Sequence, residues 1–193
     1  AEPAAPASEE EARALFVQAT EAADRGDLET ARALYASVWL VRQTYDVAMN
    51  LAEIEAHLGR EADAATHAAC ALALLPPSED PDTRRHLAAL LERARAGLAE
   101  LTVTAPAGAR VTVDGVFVGT APLAAPVFVL PGRRALEATS GGRTARADVE
   151  AARDERRDVS LAFADARSDA NGDGASDARA AAPGEPADPA AGG

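Results

Sequence analysis

The chain has 193 residues; 48% are apolar but only 4% are aromatic, and alanine supplies much of the apolar share. That length gives one or two small domains, and the composition favours closely packed helices over a bulky core. With a net charge of −12 and no lysine, the chain is unsuited to unaided binding of nucleic acid or anionic lipid.

The charge is uneven. Residues 1–100 carry 18 acids and 9 arginines, residues 101–163 carry 7 and 8, and residues 164–193 carry 6 and 2. These breaks suggest three regions. Cys70 is the only cysteine, which rules out an internal disulfide. No apolar run reaches the roughly 18 residues that would read as a membrane span. The opening AEPAAPAS resembles what a signal peptidase leaves at a small-residue site. The chain is therefore expected to be exported and periplasmic or envelope-associated; the alternative is a trimmed cytosolic protein.

In chain order, residues 1–7 read as an Ala/Pro linker. Ser8-Glu9-Glu10-Glu11 is a capping box that opens an alanine-rich helix ending near Arg25, broken by Gly26-Asp27. A second helix spans about 28–41. Thr44 can cap a third, about 45–58, which Gly59 ends. A fourth spans about 60–75 and stops at Pro76-Pro77. Asp80 and Pro81 open a fifth as N-cap and first helical residue. Its Leu87, Leu90, Leu91, Ala94, Leu98 and Leu101 fall on one helical face.

The first four helices repeat. Gly26 and Gly59 are 33 residues apart, as are Ala19 and Ala52, and Ala31 and Ala64. Such a period, with glycine at the turn and small residues at the crossings, signals paired helical hairpins. Two helices approach closely only where a small side chain sits at the crossing, and the turn needs a residue tolerant of positive φ. On these residues, together with Tyr35, Asn50-Leu51-Ala52, Ala71 and Pro76, residues 10–76 resemble the tetratricopeptide repeat family. They depart from it at Ala68, where an aromatic is usual, and at Gln43, where a proline is usual. Residues 80–100 look like the capping helix that two repeats need.

The period then becomes two. LTVTA, ARVTVD, VFVG, PVFVL, RRALEATS, RTARADVE and RRDVSLAF, separated by Gly, Pro and Asp turns, read as six or seven short strands of a small antiparallel sandwich. Asp114-Gly115 between apolar runs is a hairpin-turn signature. A phosphate loop does not fit, because Gly115 and Gly119 are too close, lysine is missing and a strand follows. Asp114, Gly115, Gly119, Pro122, Pro131 and Gly132, set in V-T-V-D-G, V-G-T-A-P-L and P-G-R-R, make residues 100–163 similar to the PEGA domain. The tetrad that names that family is absent. The resemblance implies a β-sandwich of envelope proteins, often joined to tetratricopeptide repeats, without naming a ligand.

The expected class is therefore α+β and multidomain: a helical domain at 8–100, a β-sandwich at 101–163 and a disordered acidic tail at 164–193. By repeat position, the inner helical face should present Arg13, Phe16, Thr20, Asp46, Met49, Asn50, Glu53 and His57. That face would take a protein or peptide partner, and basic or apolar side chains suit its negative charge. A clamp for a peptide carboxylate is disfavoured, because Phe16 and Met49 stand at positions comparable to those of its lysines. Alternatively, Phe16 and Met49 simply pack between the repeats and under the cap. His67 and Cys70, one turn apart, are too few ligands for zinc, and Glu53 and Glu55 point to different helix faces.

In the tail, Asp169, Asn171, Asp173 and Asp177 have the spacing of short acidic calcium loops, with Gly174 at the turn. Ala180 stands where an EF-hand has its bidentate acid, so a solvated acidic tail is the alternative. No hydrolase motif occurs, and neither an active site nor a cofactor is expected. The overall expectation is a non-catalytic adaptor of the bacterial envelope. The alternatives are cell-wall or polysaccharide attachment with the repeats as spacer, or a regulatory part of an enzyme whose catalytic domain lies elsewhere.

Overall fold

A computed structural model describes residues 5–163. The acidic tail and its candidate calcium residues Asp169, Asn171, Asp173 and Asp177 lie outside the described residues. Five helices come first: α1 (Glu9–Asp24), α2 (Leu28–Trp39), α3 (Tyr45–His57), α4 (Glu61–Leu74) and α5 (Pro81–Ala94). Seven strands follow: β1 (Ala99–Thr104), β2 (Arg110–Val113), β3 (Val116–Thr120), β4 (Val127–Val129), β5 (Gly132–Ser140), β6 (Arg143–Ala151) and β7 (Arg156–Ser160). Helices followed by sheets make the fold α+β, as the change of period predicts.

Local chemistry sets the helix ends. Ser8 Oγ accepts the Glu11 N–H at 3.1 Å. The Glu11 carboxylate reaches back to the Ala7 N–H at 2.6 Å, one residue beyond the reciprocal bond of a capping box. Asp80 caps α5 with Pro81 at its start. Thr44 precedes α3 but makes no side-chain cap bond, and its buried hydroxyl has no partner among the described residues.

The 33-residue repeat recurs in the hydrogen bonds. After α1, Gly26 N–H donates to the Ala23 carbonyl and Asp27 N–H to Ala22. After α3, Gly59 N–H donates to Ala56 and Arg60 N–H to Glu55. Both ends are Schellman motifs, and Gly26 and Gly59 take φ of 76° and 71°. Space is open around a Cβ at Gly59, so only backbone strain opposes a side chain there. Gly59→Ala is expected to cost about 1–2 kcal/mol in urea denaturation, the penalty of a left-handed L-residue. Ala19, Ala31, Ala52 and Ala64, the alanines matched by the repeat, are fully buried.

The fifth helix is shorter than its apolar stripe suggests. It stops at Ala94, Gly97 turns with φ 77°, and Leu98 sits in the turn while Leu101 belongs to β1. Leu98 and Leu101 are buried from those positions, so their spacing fits a helical face without being on one.

The strands form two sheets, ordered β4-β1-β7 and β3-β2-β5-β6. Their inner faces enclose Leu101, Val111, Leu136, Ala138 and Val159. All pairings are antiparallel except β1 with β7, which is parallel. The reason lies where both strands begin. Asp154 accepts the Gly97 N–H at 3.0 Å, and Glu155 O accepts the Glu100 N–H at 2.8 Å. These bonds bring the chain into β7 at the end where it enters β1, so the two strands run the same way.

Edge strands β3 and β4 meet the helices. Phe117 of β3 joins the cluster of α1–α4, and Phe128 of β4 enters a recess lined by alanines of α4 and by Leu90 and Ala94 of α5. Thr66 Oγ1 accepts the Phe128 N–H at 2.9 Å, and Gln43 Oε1 accepts the Thr120 N–H at 3.3 Å. Unpaired strand edges invite association with other chains. Here Thr66 of α4 and Gln43 of the α2–α3 loop satisfy part of both edges. Among the described residues, no helix is long and apolar enough to cross a membrane.

Candidate functional site

Two of the expected groove residues, Thr20 and Phe16, touch Tyr35, and two more, Asp46 and Glu53, act on it through their charge. Its hydroxyl lies 2.8 Å from Thr20 Oγ1. Burial pushes the Tyr35 pKa up, the Thr20 hydrogen bond opposes this, and the charges of Asp24, Asp46 and Glu53 raise it further. Asp24 of α1 and Asp46 and Glu53 of α3 thus make the surroundings of this hydroxyl acidic. His86 of α5 joins them, with Nε2 3.3 Å from Glu53 Oε1.

The apolar and remaining polar residues of the expected face have separate roles. Phe16 stacks edge-on against Tyr35 with centroids 5.2 Å apart, and both Phe16 and Met49 pack partly buried on the helical core. Asn50 Nδ2 donates to the Asp46 carbonyl at 2.8 Å, and His57 Nδ1 lies 2.7 Å from the Glu53 carbonyl. Each is an i to i−4 contact within α3. Arg13 is exposed on α1.

The strand motif closes on itself. Asp114 and Gly115 both take positive φ, 51° and 79°, in the two-residue turn between β2 and β3. The Asp114 carboxylate accepts the Ala135 N–H at 2.9 Å and Arg134 Nη1 at 2.8 Å. Burial works against its ionised form, but these bonds and the arginine charge outweigh it and lower its pKa. Arg134 also donates to the Leu130 and Pro131 carbonyls. One guanidinium thus ties the Asp-Gly turn to the Pro131-Gly132 turn. Gly119 lies next to the register shift in the β2–β3 ladder, with Leu123 packed over it, and the peptide bond before Pro122 is cis. These six residues build the module's frame.

Sequence reasoning missed a second region. A cleft of about 530 Å³ lies between α2 and α4 on one side and the β2–β3 turn and β4 on the other. In its floor Glu55 has no exposed surface. It accepts Arg32 Nε at 3.1 Å and pairs with His67 Nδ1 at 2.6 Å. Arg32 Nη2 also reaches Asp63 at 3.2 Å. Burial disfavours a charged His67, but the charge and hydrogen bond of Glu55 prevail and raise its pKa. Trp39 meets His67 edge-on at 5.3 Å, and its buried indole N–H has no acceptor among the described residues. The sequence signal was a carboxylate on the apolar side of α3, opposite Glu53.

His67 and Cys70 serve different ends on α4. Burial pushes the Cys70 thiol up to about 12. At pH 8 the native thiol is therefore expected to resist Ellman's reagent, whereas the unfolded chain reacts fully.

No known family model matches the chain, and no curated protein matches it.

Proposed function

We propose that the protein is a non-catalytic interaction scaffold of the bacterial cell envelope. In this reading the helical hairpins are tetratricopeptide-like repeats whose α1–α3–α5 face takes a protein or peptide partner. The sandwich is a PEGA-like module that docks to an envelope component. The observation that carries the reading is the acidic patch around Tyr35. There Asp24, Asp46 and Glu53 act on one hydroxyl, with partly buried Phe16 and Met49 on the same two helices. Such a surface suits a segment that places a basic side chain beside an apolar one. Packing of Phe117 and Phe128 into helical clusters adds support, because it holds the helical and β surfaces in fixed relation.

Random peptides displayed on phage and panned on the purified protein test the idea. Enrichment of sequences joining arginine or lysine to apolar residues is expected. The double variant Asp46→Arg, Glu53→Arg is expected to weaken a selected peptide by at least about tenfold, or about 1.4 kcal/mol. Its melting temperature should stay close to that of the wild type. No enrichment, or equal affinity of the folded double variant, sinks the reading.

A further inference from the structure

The cleft between the helices and the sandwich has a one-sided hydrogen-bonding inventory. Its acids already face donors. Glu55 holds Arg32 and His67, Asp63 holds Arg32, and Asp114 holds Ala135 and Arg134. Donors remain unused as well. Arg32 employs Nε and Nη2, which leaves Nη1. His67 employs Nδ1 toward Glu55, and its Nε2 becomes a further donor when the ring is protonated. The Trp39 indole N–H is buried, in a residue 4% exposed, and has no acceptor among the described residues. A buried donor left unpaired costs about 1–3 kcal/mol, so each such group calls for an explanation.

The charges lean the same way. Arg32, Arg60 and Arg134 match Glu55, Asp63 and Asp114 in charge, so any protonation of His67 leaves the lining positive. Apart from Thr66 and the Trp39 indole N–H, the rest of the lining is apolar. Val116 and Leu130 line it while remaining 55% and 58% exposed, two of the five large apolar side chains left open to solvent. The volume falls within the range of small-ligand pockets.

We infer that this cleft binds a small amphipathic carboxylate, with its head group at Arg32 and His67 and its apolar body along Val116, Phe117 and Leu130. An arginine with free N–H groups suits a carboxylate, and a second donor beside it fixes the head group's orientation. The head group adds one negative charge and supplies acceptors for the spare arginine N–H groups. The apolar body covers surface that is otherwise in water. A free amphiphile and the C-terminal residue of a peptide share this chemistry. The site is separate from the α1–α3–α5 face, so it stands or falls independently of the proposed scaffold function.

Trp39 is the only tryptophan of the chain and lines the cleft, so its fluorescence reports on occupancy. The full chain is titrated with decanoate below its micellar concentration, and with decanol and decylamine as controls. Acetyl-Val-Leu-Phe is compared as free acid and as amide. A saturable change with at least one of the two acids, and none with alcohol, amine or amide, is expected. Response to decanoate alone assigns a free amphiphile; response to the peptide acid alone assigns a chain end. Arg32→Gln is expected to weaken binding at least about tenfold. Because that variant disturbs a buried pair, Val116→Glu with Leu130→Glu provides a second arm at exposed positions and is expected to abolish binding in a folded protein. Asp46→Arg with Glu53→Arg is expected to leave it unchanged. The inference is overturned by the lack of a saturable response to either acid. Equal responses to acid, alcohol and amine, or undiminished binding by the folded Val116→Glu, Leu130→Glu variant, overturn it as well.

Discussion

Glu55→Ala is expected to destabilise the protein by about 3 kcal/mol, the lower end of what breaking a buried ion pair costs. Glu55 is wholly buried, while Arg32 and His67 retain 22% and 12% side-chain exposure. Without the carboxylate, Arg32 keeps Asp63, and a neutral His67 needs no counter-charge, which limits the loss. The same substitution should change how stability depends on pH. The folded-state pKa of His67 lies above its ordinary value of 6.5. A group whose pKa rises on folding contributes stability that is fully present below its unfolded pKa. That contribution disappears as the pH climbs through the folded value. The wild type should therefore lose stability from about pH 6.5 upward. The groups that set this are Glu55 of α3, Arg32 of α2 and Asp63 of α4, all acting on His67. Urea denaturation across pH 6 to 9 measures both effects. A Glu55→Ala variant with the wild-type slope over that window would show that His67 titrates independently of Glu55.

Phe128→Ala is expected to cost about 3–5 kcal/mol, as for other buried phenylalanines cut to alanine. The ring is 6% exposed and fills a recess made by Ala64, Ala65, Ala68 and Ala69 with Leu90 and Ala94. Alanines on a helix cannot extend to fill the space, so the cavity persists and the cost stays near the full value. The loss also falls on the junction between helices and sandwich. Calorimetry should show one transition for the wild type and a separated, earlier β transition for the variant. Helical circular dichroism should follow the later one. Thr66→Val provides the comparison: it removes the acceptor of the Phe128 N–H and should cost about 1–3 kcal/mol. Loss of less than about 1 kcal/mol in Phe128→Ala, with a single transition, would mean that the junction contributes little.

Much of the candidate site was illegible from the chain because its parts are remote. Thr20, Asp46 and Glu53 could be placed by repeat position, since the 33-residue period carries helix geometry with it. That Tyr35 would draw them together required the crossing of α1, α2 and α3. Glu55 reads in sequence as one acid on an apolar helix face. Its partners are 23 and 12 residues away on different helices. Gln43 stood out only as a departure from the repeat pattern; its bond to the Thr120 N–H, 77 residues on, gives that departure a use.

By itself the sequence determined the order of elements, the helix breaks at Gly26 and Gly59, the caps at Ser8 and Asp80, and the turn at Asp114-Gly115. Each depends on sterics and hydrogen bonds within about one turn of chain, and local residue choice controls those directly. Only the tertiary structure decided the parallel pairing of β7 with β1, the seating of Phe128 among the alanines of α4, the joining of two turns by Arg134, and the cleft above Glu55. Those features arise from contacts between segments whose meeting local periodicity does not specify. A buried acid and a solvated one have the same place in a helical repeat, and only the neighbours brought in by folding tell them apart.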